Sequence, residues 1–309
     1  MNRMSAWAAR FGVGLLLLTC PAALAAPAPA EQVTADGLLE EVQEPLFPGA
    51  RHLRLARSGP RPLVVHVVEL DLGRAPVRWR LSPGDRSEGM EYVAETVRRA
   101  AVRHGALVAI NASYFLPFAG GSAGADDFYP HEGDPVSASG AVLAAGQVVS
   151  PPEHDLDIRV NAMLCFKGRQ GRILEGQTCP AGFTDGVAAG PLLLEDGRRQ
   201  SFTAFDNNYA VTAQPRSAIG FSKDGRRAWI VAVDGRQASS VGVSLADLTD
   251  LFLRLGAADA INLDGGGSTT LVTTQTPGAP KVLNTPIHSA VPGRERPVAN
   301  AILLVPEDR

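Results

Sequence analysis

Residues 228–236 read Ala-Trp-Ile-Val-Ala-Val-Asp-Gly-Arg, and residues 260–267 read Ala-Ile-Asn-Leu-Asp-Gly-Gly-Gly. The two stretches share one form, an apolar run followed by Asp-Gly. Between them lies one amphipathic helix. Ser244 is a good N-cap, Asp247 stands in capping-box position, and Leu245, Leu248, Leu251, Phe252 and Leu255 form one stripe. Gly256 fits the position just past the end. A strand, a crossover helix and a strand imply two parallel strands, often neighbours, joined right-handedly. Their C-terminal ends share a sheet edge, which is where open α/β sheets take ligands. Neighbouring strands sit roughly 5 Å apart. Asp234 and Asp264 are therefore expected to face one pocket, roughly 5 to 10 Å apart, a range that suits two-carboxylate glycoside chemistry.

Outward from this unit the chain alternates strands and helices. Leu63–Leu70 reads as a strand, and Val77–Leu81 as a half-exposed strand hairpinned to it. Ser87–His104 reads as a helix stopped by Gly105. Ala106–Ile110 is a short apolar strand that ends at Asn111, so Asn111 reaches the same edge. Residues 116–139 read as a long irregular loop. Ala141–Val149 and Val187–Leu194 are further strands, the second interrupted at Gly190-Pro191. Ser217–Phe221 and Ala228–Val233 form a hairpin through Asp224-Gly225, and Val298–Val305 is the last strand. The expected fold is α+β (mixed α/β), with a central mixed sheet, flanking helices and a parallel strand–helix–strand unit near residues 228–264.

The 309-residue chain has 29 Lys+Arg against 32 Asp+Glu, a net charge of −3, which excludes nucleic-acid binding through a broad basic face. With 45% hydrophobic and 20% charged residues, it is globular rather than disordered. Residues 1–25 read as a secretory signal: Arg3 and Arg10, the apolar run 11–19, and the Ala23-Leu-Ala25 cleavage site. Lipidation at Cys20 is disfavoured by Thr19. No later segment is long and apolar enough to cross a membrane. The mature chain is expected in the periplasm or outside the cell, with residues 26–61 as linker and N-terminal extension and 62–309 as the catalytic domain. Cleavage leaves Cys165 and Cys179, read as one disulfide. They lack further ligands at zinc spacing, and His131, His154 and His288 read as loop histidines, so no metal or cofactor is assigned.

Asp264-Gly-Gly-Gly-Ser-Thr269 is the sharpest motif. Three consecutive glycines cost backbone entropy and suit a backbone that approaches a ligand and offers its amides as a nest. The plainer alternative is a tight turn. Arg216 opens a strand within Gln214-Pro-Arg-Ser-Ala-Ile-Gly220; a guanidinium fork suits phosphate or carboxylate, or pairs with a nearby acid.

Six stretches occur in an order that resembles the phosphodiester glycosidases: Asn111-Ala-Ser-Tyr-Phe115, Ala189-Gly-Pro-Leu192, Pro215-Arg-Ser-Ala-Ile-Gly220, Val233-Asp-Gly-Arg236, Asn262-Leu-Asp-Gly-Gly-Gly-Ser-Thr269 and Arg296-Pro-Val-Ala-Asn300. The resemblance spans roughly residues 63–305. The family includes bacterial members associated with exopolysaccharide. Where it commonly has Asn-Gly-Gly-Phe-Phe, this chain has Asn-Ala-Ser-Tyr-Phe, so Ala112 and Ser113 add side chains beside Asn111. The resemblance implies hydrolysis at the anomeric carbon of a sugar linked through phosphate in an envelope or extracellular glycan, through an oxocarbenium-like transition state. It implies that Arg216, with Arg236 or Arg296, holds the phosphate. The amides of Gly265, Gly266 and Gly267, with Ser268, would bind phosphate or sugar hydroxyls. Asp264 would be nucleophile or stabilising carboxylate, Asp234 the acid/base, and Asn111 would hold a hydroxyl or a water. Two rivals stand beside this reading. One is a non-catalytic envelope glycan-binding protein, which needs no second Asp. The other is a glycosidase for a phosphate-free glycoside, which needs no Arg216.

Overall fold

The computed structural model describes residues 39–153, 158–276 and 279–307; the expectations for residues 1–38 and for His154 lie outside these. Among the described residues strand dominates, at 43% against 11% helix. The centre is an eight-stranded sheet in the order Leu39–Phe47, Ala50–Arg57, Leu63–Asp71, Arg227–Val233, Arg216–Phe221, Asp259–Asn262, Leu192–Glu195, Arg198–Arg199. Every ladder in it is antiparallel, which corrects the expected mixed sheet.

The helix Leu245–Leu255 does connect two strands that run the same way, Arg227–Val233 and Asp259–Asn262, but they are not neighbours. Arg216–Phe221 lies between them, antiparallel to both. The physical reason is burial. Alternate residues of Arg227–Val233 face opposite cores: Trp229, Val231 and Val233 pack with Leu53, Leu55, Leu248 and Phe252, whereas Ala228, Ile230 and Ala232 pack with Trp79, Ile110 and Leu303. A strand covered on both faces is apolar throughout, the pattern typical of parallel sheets.

The helix thus covers one face of the central sheet, with Ser244 and Asp247 forming the expected capping box and Gly256 left-handed at φ +91°. Against the other face lie two five-stranded sheets. One has the order Gln147–Ser150, Val142–Ala144, Asp185–Ala189, Ala162–Lys167, Gln170–Glu175; the other has Ala279–Val282, Leu271–Thr276, Val108–Asn111, Ala301–Pro306, Val77–Leu81. Val77–Leu81 therefore pairs with Ala301–Pro306 and not with the Leu63 strand. Trp79 and Trp229, on opposite sides of the central sheet, are both fully buried.

Three further expectations change. Residues 39–57 are a hairpin whose second strand pairs with Leu63–Asp71, so that part of the expected linker belongs to the sheet; Leu53 and Leu55 are buried beneath the helix. The helix expected over Ser87–His104 is confined to Val97–Arg103. Thr96 caps it by accepting the Arg99 amide, and Tyr92–Val93 instead pairs with Pro135–Ala138, a strand inside the expected loop. Cys165 and Cys179 are bonded as expected, and Gly186 leaves room for them, since a Cβ there would lie 2.4 Å from the Cys179 Sγ.

Candidate active site

Asn111 ends its strand fully buried, and its side chain fastens three other segments. Its Nδ2 donates to the Asp264 carbonyl at 2.6 Å, and its Oδ1 accepts from Ser217 Oγ at 2.7 Å and from the Thr270 amide at 3.1 Å. The Asp264 amide donates to the Ala112 carbonyl and the Leu263 amide to the Ser217 carbonyl. Asn300 Oδ1 accepts both the amide and the hydroxyl of Ser113 at 3.0 Å. The Gly190 carbonyl accepts from Asn262 Nδ2 at 2.9 Å and from the Tyr114 hydroxyl at 3.0 Å. Segments far apart in the sequence thus converge on the backbone of Asp264. Asn111 holds that backbone, not a sugar hydroxyl.

The Asp264 side chain opens into a cavity of about 280 Å³. Asp264, Arg159, Arg296, Glu153, Ser139 and Tyr114 give it a polar lining, and Phe115, Leu116, Phe118 and Val160 an apolar one. A larger groove of about 650 Å³ lies at the other end of the central sheet, beside Arg172, Lys223, Arg226 and Asp259, and holds none of the six motifs. Burial pushes the Asp264 carboxyl above its usual range, against the opposing pull of Arg296, the Ser268 hydroxyl, the Gly265 amide and Arg159. Burial likewise lowers Arg296, while the Asp264 charge raises it. The two groups sustain each other's charge in a site that disfavours either alone.

Arg296 is aimed from several sides. Its Nε donates to His288 Nδ1 at 3.1 Å, its Nη1 donates to Ser268 Oγ at 3.1 Å, and its guanidinium lies 4.4 Å from the Phe118 ring centre. His288 is fully buried, contrary to its reading as a loop histidine, and burial beside Arg296 and Arg294 lowers it to about 4. It therefore accepts as a neutral imidazole. The glycine triplet admits these cations: a Cβ on Gly267 would lie 2.4 Å from Arg296 Nη2, and one on Gly266, at φ +60°, 3.3 Å from Arg236. The Gly266 amide donates to the Pro215 carbonyl and the Gly265 amide to the Asp264 carboxylate, so neither is a nest for phosphate.

The remaining expected site residues do not line this cavity. Asp234 is buried at the end of its strand and outside the cavity wall; its Oδ1 accepts the Thr285 amide at 2.8 Å and its Oδ2 lies 3.8 Å from His66 Nε2. Asp234 thus does not share the cavity that Asp264 opens into, and the Arg216–Phe221 strand lies between the two strand ends. Arg216 is 2% exposed and donates to the carbonyls of Val243 and Tyr209. It lies beneath the Tyr209 ring at 5.2 Å, and Arg159 lies 5.5 Å from that ring and 5.2 Å from Tyr114. Arg236 is exposed and donates from Nε to Gln214 Oε1 at 2.7 Å, and its guanidinium stands beside Gly266, near enough for the Asp264 charge to raise it against the lowering by burial.

Tyr114, Phe118, Arg159 and Glu153, which line the cavity, and Tyr209, bonded to Tyr114, are not among the residues expected from the sequence. Tyr114 stood within the first motif and Phe118 just after it, whereas nothing local marked Arg159. The Tyr114 and Tyr209 hydroxyls are 2.6 Å apart, and burial pushes both phenols upward, Tyr209 to about 12. Among the described residues no group of three or more His, Cys, Asp or Glu is placed to hold a metal.

Comparison with known proteins adds the following. The sequence profile of a family described as phosphodiester glycosidase matches residues 104–305. A prophage-derived uncharacterised protein of Bacillus subtilis, YomE, is 48% identical over 54 residues, which are 18% of this chain and 8% of that protein. Among solved structures, the catalytic domain of zebrafish N-acetylglucosamine-1-phosphodiester alpha-N-acetylglucosaminidase, described as auto-inhibited by its pro-peptide, is similar with a TM-score of 0.59. It is 18% identical over 86% of this chain and 85% of that one. A hypothetical protein from Synechocystis is similar with a TM-score of 0.57 at 18% identity over 83% of this chain and 62% of that one. A protein of Burkholderia pseudomallei follows with a TM-score of 0.53 at 17% identity over 81% and 75%. These structural likenesses concern the fold.

Proposed function

From the premise that the chain belongs to the phosphodiester glycosidase family, we propose that it hydrolyses a sugar-1-phosphodiester at the anomeric carbon. One observation carries this reading: Asp264 shares a cavity with Arg159 and Arg296, and both cations act on its charge. In this reading Asp264 attacks or stabilises the anomeric carbon as positive charge develops there. Arg159 and Arg296 hold the departing phosphate. Phosphate is a weak base, so its departure needs little proton donation, and the absence of Asp234 from the cavity does not obstruct the reaction. The phosphate-holding role expected of Arg216 passes to Arg296 and Arg159, while Arg216 supports the Tyr209 ring.

We further place the protein in an oxidising compartment, the periplasm or outside the cell. The Cys165–Cys179 bond supports this. Among the described residues no helix is long and apolar enough to cross a membrane.

A second reading, glycan binding without turnover, is favoured by one observation: the second carboxylate of the expected pair lies outside the cavity. Substitution separates the two. Asp264→Asn keeps size but removes the charge, and should lower kcat for a sugar-1-phosphodiester by about a hundredfold or more with the fold intact. Asp234→Asn should keep most of the turnover. A folded Asp264→Asn protein with near-full activity rejects the catalytic role, and wild type that binds the diester without cleaving it moves glycan binding ahead.

A further inference from the structure

The cavity beside Asp264 is lined by two chemically different sets of residues, and the hydrolytic reading uses only one. The other is built from Phe115, Leu116, Phe118 and Val160. Two of these are large hydrophobic side chains left in water: Leu116 is 62% exposed and Phe118 41%. Phe118 directly adjoins a cation, since the Arg296 guanidinium lies 4.4 Å from its ring centre, and Phe115 meets Phe118 edge-on at 6.0 Å. An exposed apolar strip beside a guanidinium suits a ligand that is anionic at one end and apolar at the next group along.

We propose that Phe115, Leu116 and Phe118 form a leaving-group subsite for the apolar alcohol of a lipid-type glycosyl phosphodiester. The proposal rests on the hydrolytic reading above and names the substrate class within it. A sugar as the second alcohol would set hydroxyls against Leu116 and Phe118, which offer no hydrogen-bond partner, and would lose hydration there. One face of Phe118 is moreover occupied by Arg296, which leaves less ring for a sugar to stack on. An alkyl or prenyl chain loses no hydrogen bond at this apolar lining and covers the exposed surface. In the reaction the bond between the anomeric carbon and the phosphate oxygen breaks, and its electron pair leaves with the alkyl phosphate. Water supplies the new hydroxyl to the anomeric carbon and its remaining proton to the released phosphate monoester.

The test compares diesters of a panel of sugar 1-phosphates with methanol, octanol or a hexose as the second alcohol, and separately measures binding of octyl phosphate and methyl phosphate by calorimetry. The expected result is a kcat/KM for the octyl diester at least about tenfold above the methyl and hexosyl diesters, with octyl phosphate binding correspondingly tighter than methyl phosphate. Leu116→Ser should bring the octyl-to-methyl ratio toward one. Val148→Ser removes a hydrophobe of similar exposure, 66%, that does not line the cavity, and should leave the ratio as it is. A hexosyl diester that is cleaved as well as the octyl one, or a ratio unmoved by Leu116→Ser, overturns the subsite while the hydrolytic reading stands. If no diester is cleaved, the hydrolytic reading fails, and the subsite is then decided by binding alone: octyl phosphate held no tighter than methyl phosphate overturns it too.

Discussion

At the scale of residues, Asp264 and Arg296 set the pH behaviour of the site. Burial raises the Asp264 carboxyl above its ordinary value of 3.8, and Arg296 is the first of the groups that hold it down. The carboxylate must be ionised to meet a developing cation, so activity should fall as pH drops through this raised value. The acid limb of kcat/KM is expected above pH 3.8. Arg296→Met removes the strongest opposing charge, so the Asp264 pKa rises and the limb should move to still higher pH; a pH–rate profile of both proteins checks the direction. This pair was only half legible in the sequence. Asp264 announced itself by its glycines, yet the glycines turned out to admit two guanidiniums, with the Gly265 and Gly266 amides already bonded to protein acceptors. Asn111 was legible as a site residue but not as a clamp on the Asp264 carbonyl. Which way an amide side chain points depends on strands remote in sequence, and no local pattern encodes that.

At the scale of elements, the helix Leu245–Leu255 was readable because its signals are local. Ser244 accepts the Asp247 amide at 3.1 Å while the Asp247 carboxylate accepts from the Ser244 amide, also at 3.1 Å. Ser244→Ala removes one half of this reciprocal pair and should destabilise the protein by about 1 kcal/mol, measurable as a shift in the urea midpoint with an unchanged slope. Strand partners were less readable. Val77–Leu81 alternates cleanly, and alternation fixes which face is buried but not which strand lies alongside. Arg227–Val233 misled more deeply, since an antiparallel strand covered on both faces carries the composition of a parallel one. Within Ser87–His104 the helical spacing of Val93 and Val97 outweighed the Thr96 cap that starts the helix between them.

At the scale of the whole molecule, the resemblance of six ordered motifs was the most informative part of the sequence, because they meet around one backbone segment. The disulfide was legible by counting. Cys165 and Cys179 are 14 residues apart, and closing so short a loop stabilises by at most about 3 kcal/mol in the chain-entropy view. Replacing both by Ala should lower stability by up to that amount with the fold retained, as thermal unfolding in the absence of reductant would show.

The two buried tryptophans, one on each side of the central sheet, have a consequence for unfolding. Each is an intrinsic fluorophore reporting on its own core: Trp79 on the layer between the sheets, Trp229 on the layer under the helix. Because alternate residues of Arg227–Val233 belong to both cores, neither layer can melt without exposing the other. Variants that retain only one of these two indoles should therefore give coincident emission transitions in urea once each is corrected for its own stability. Separated midpoints would mean that the helix layer comes away while the sheets beneath it remain packed.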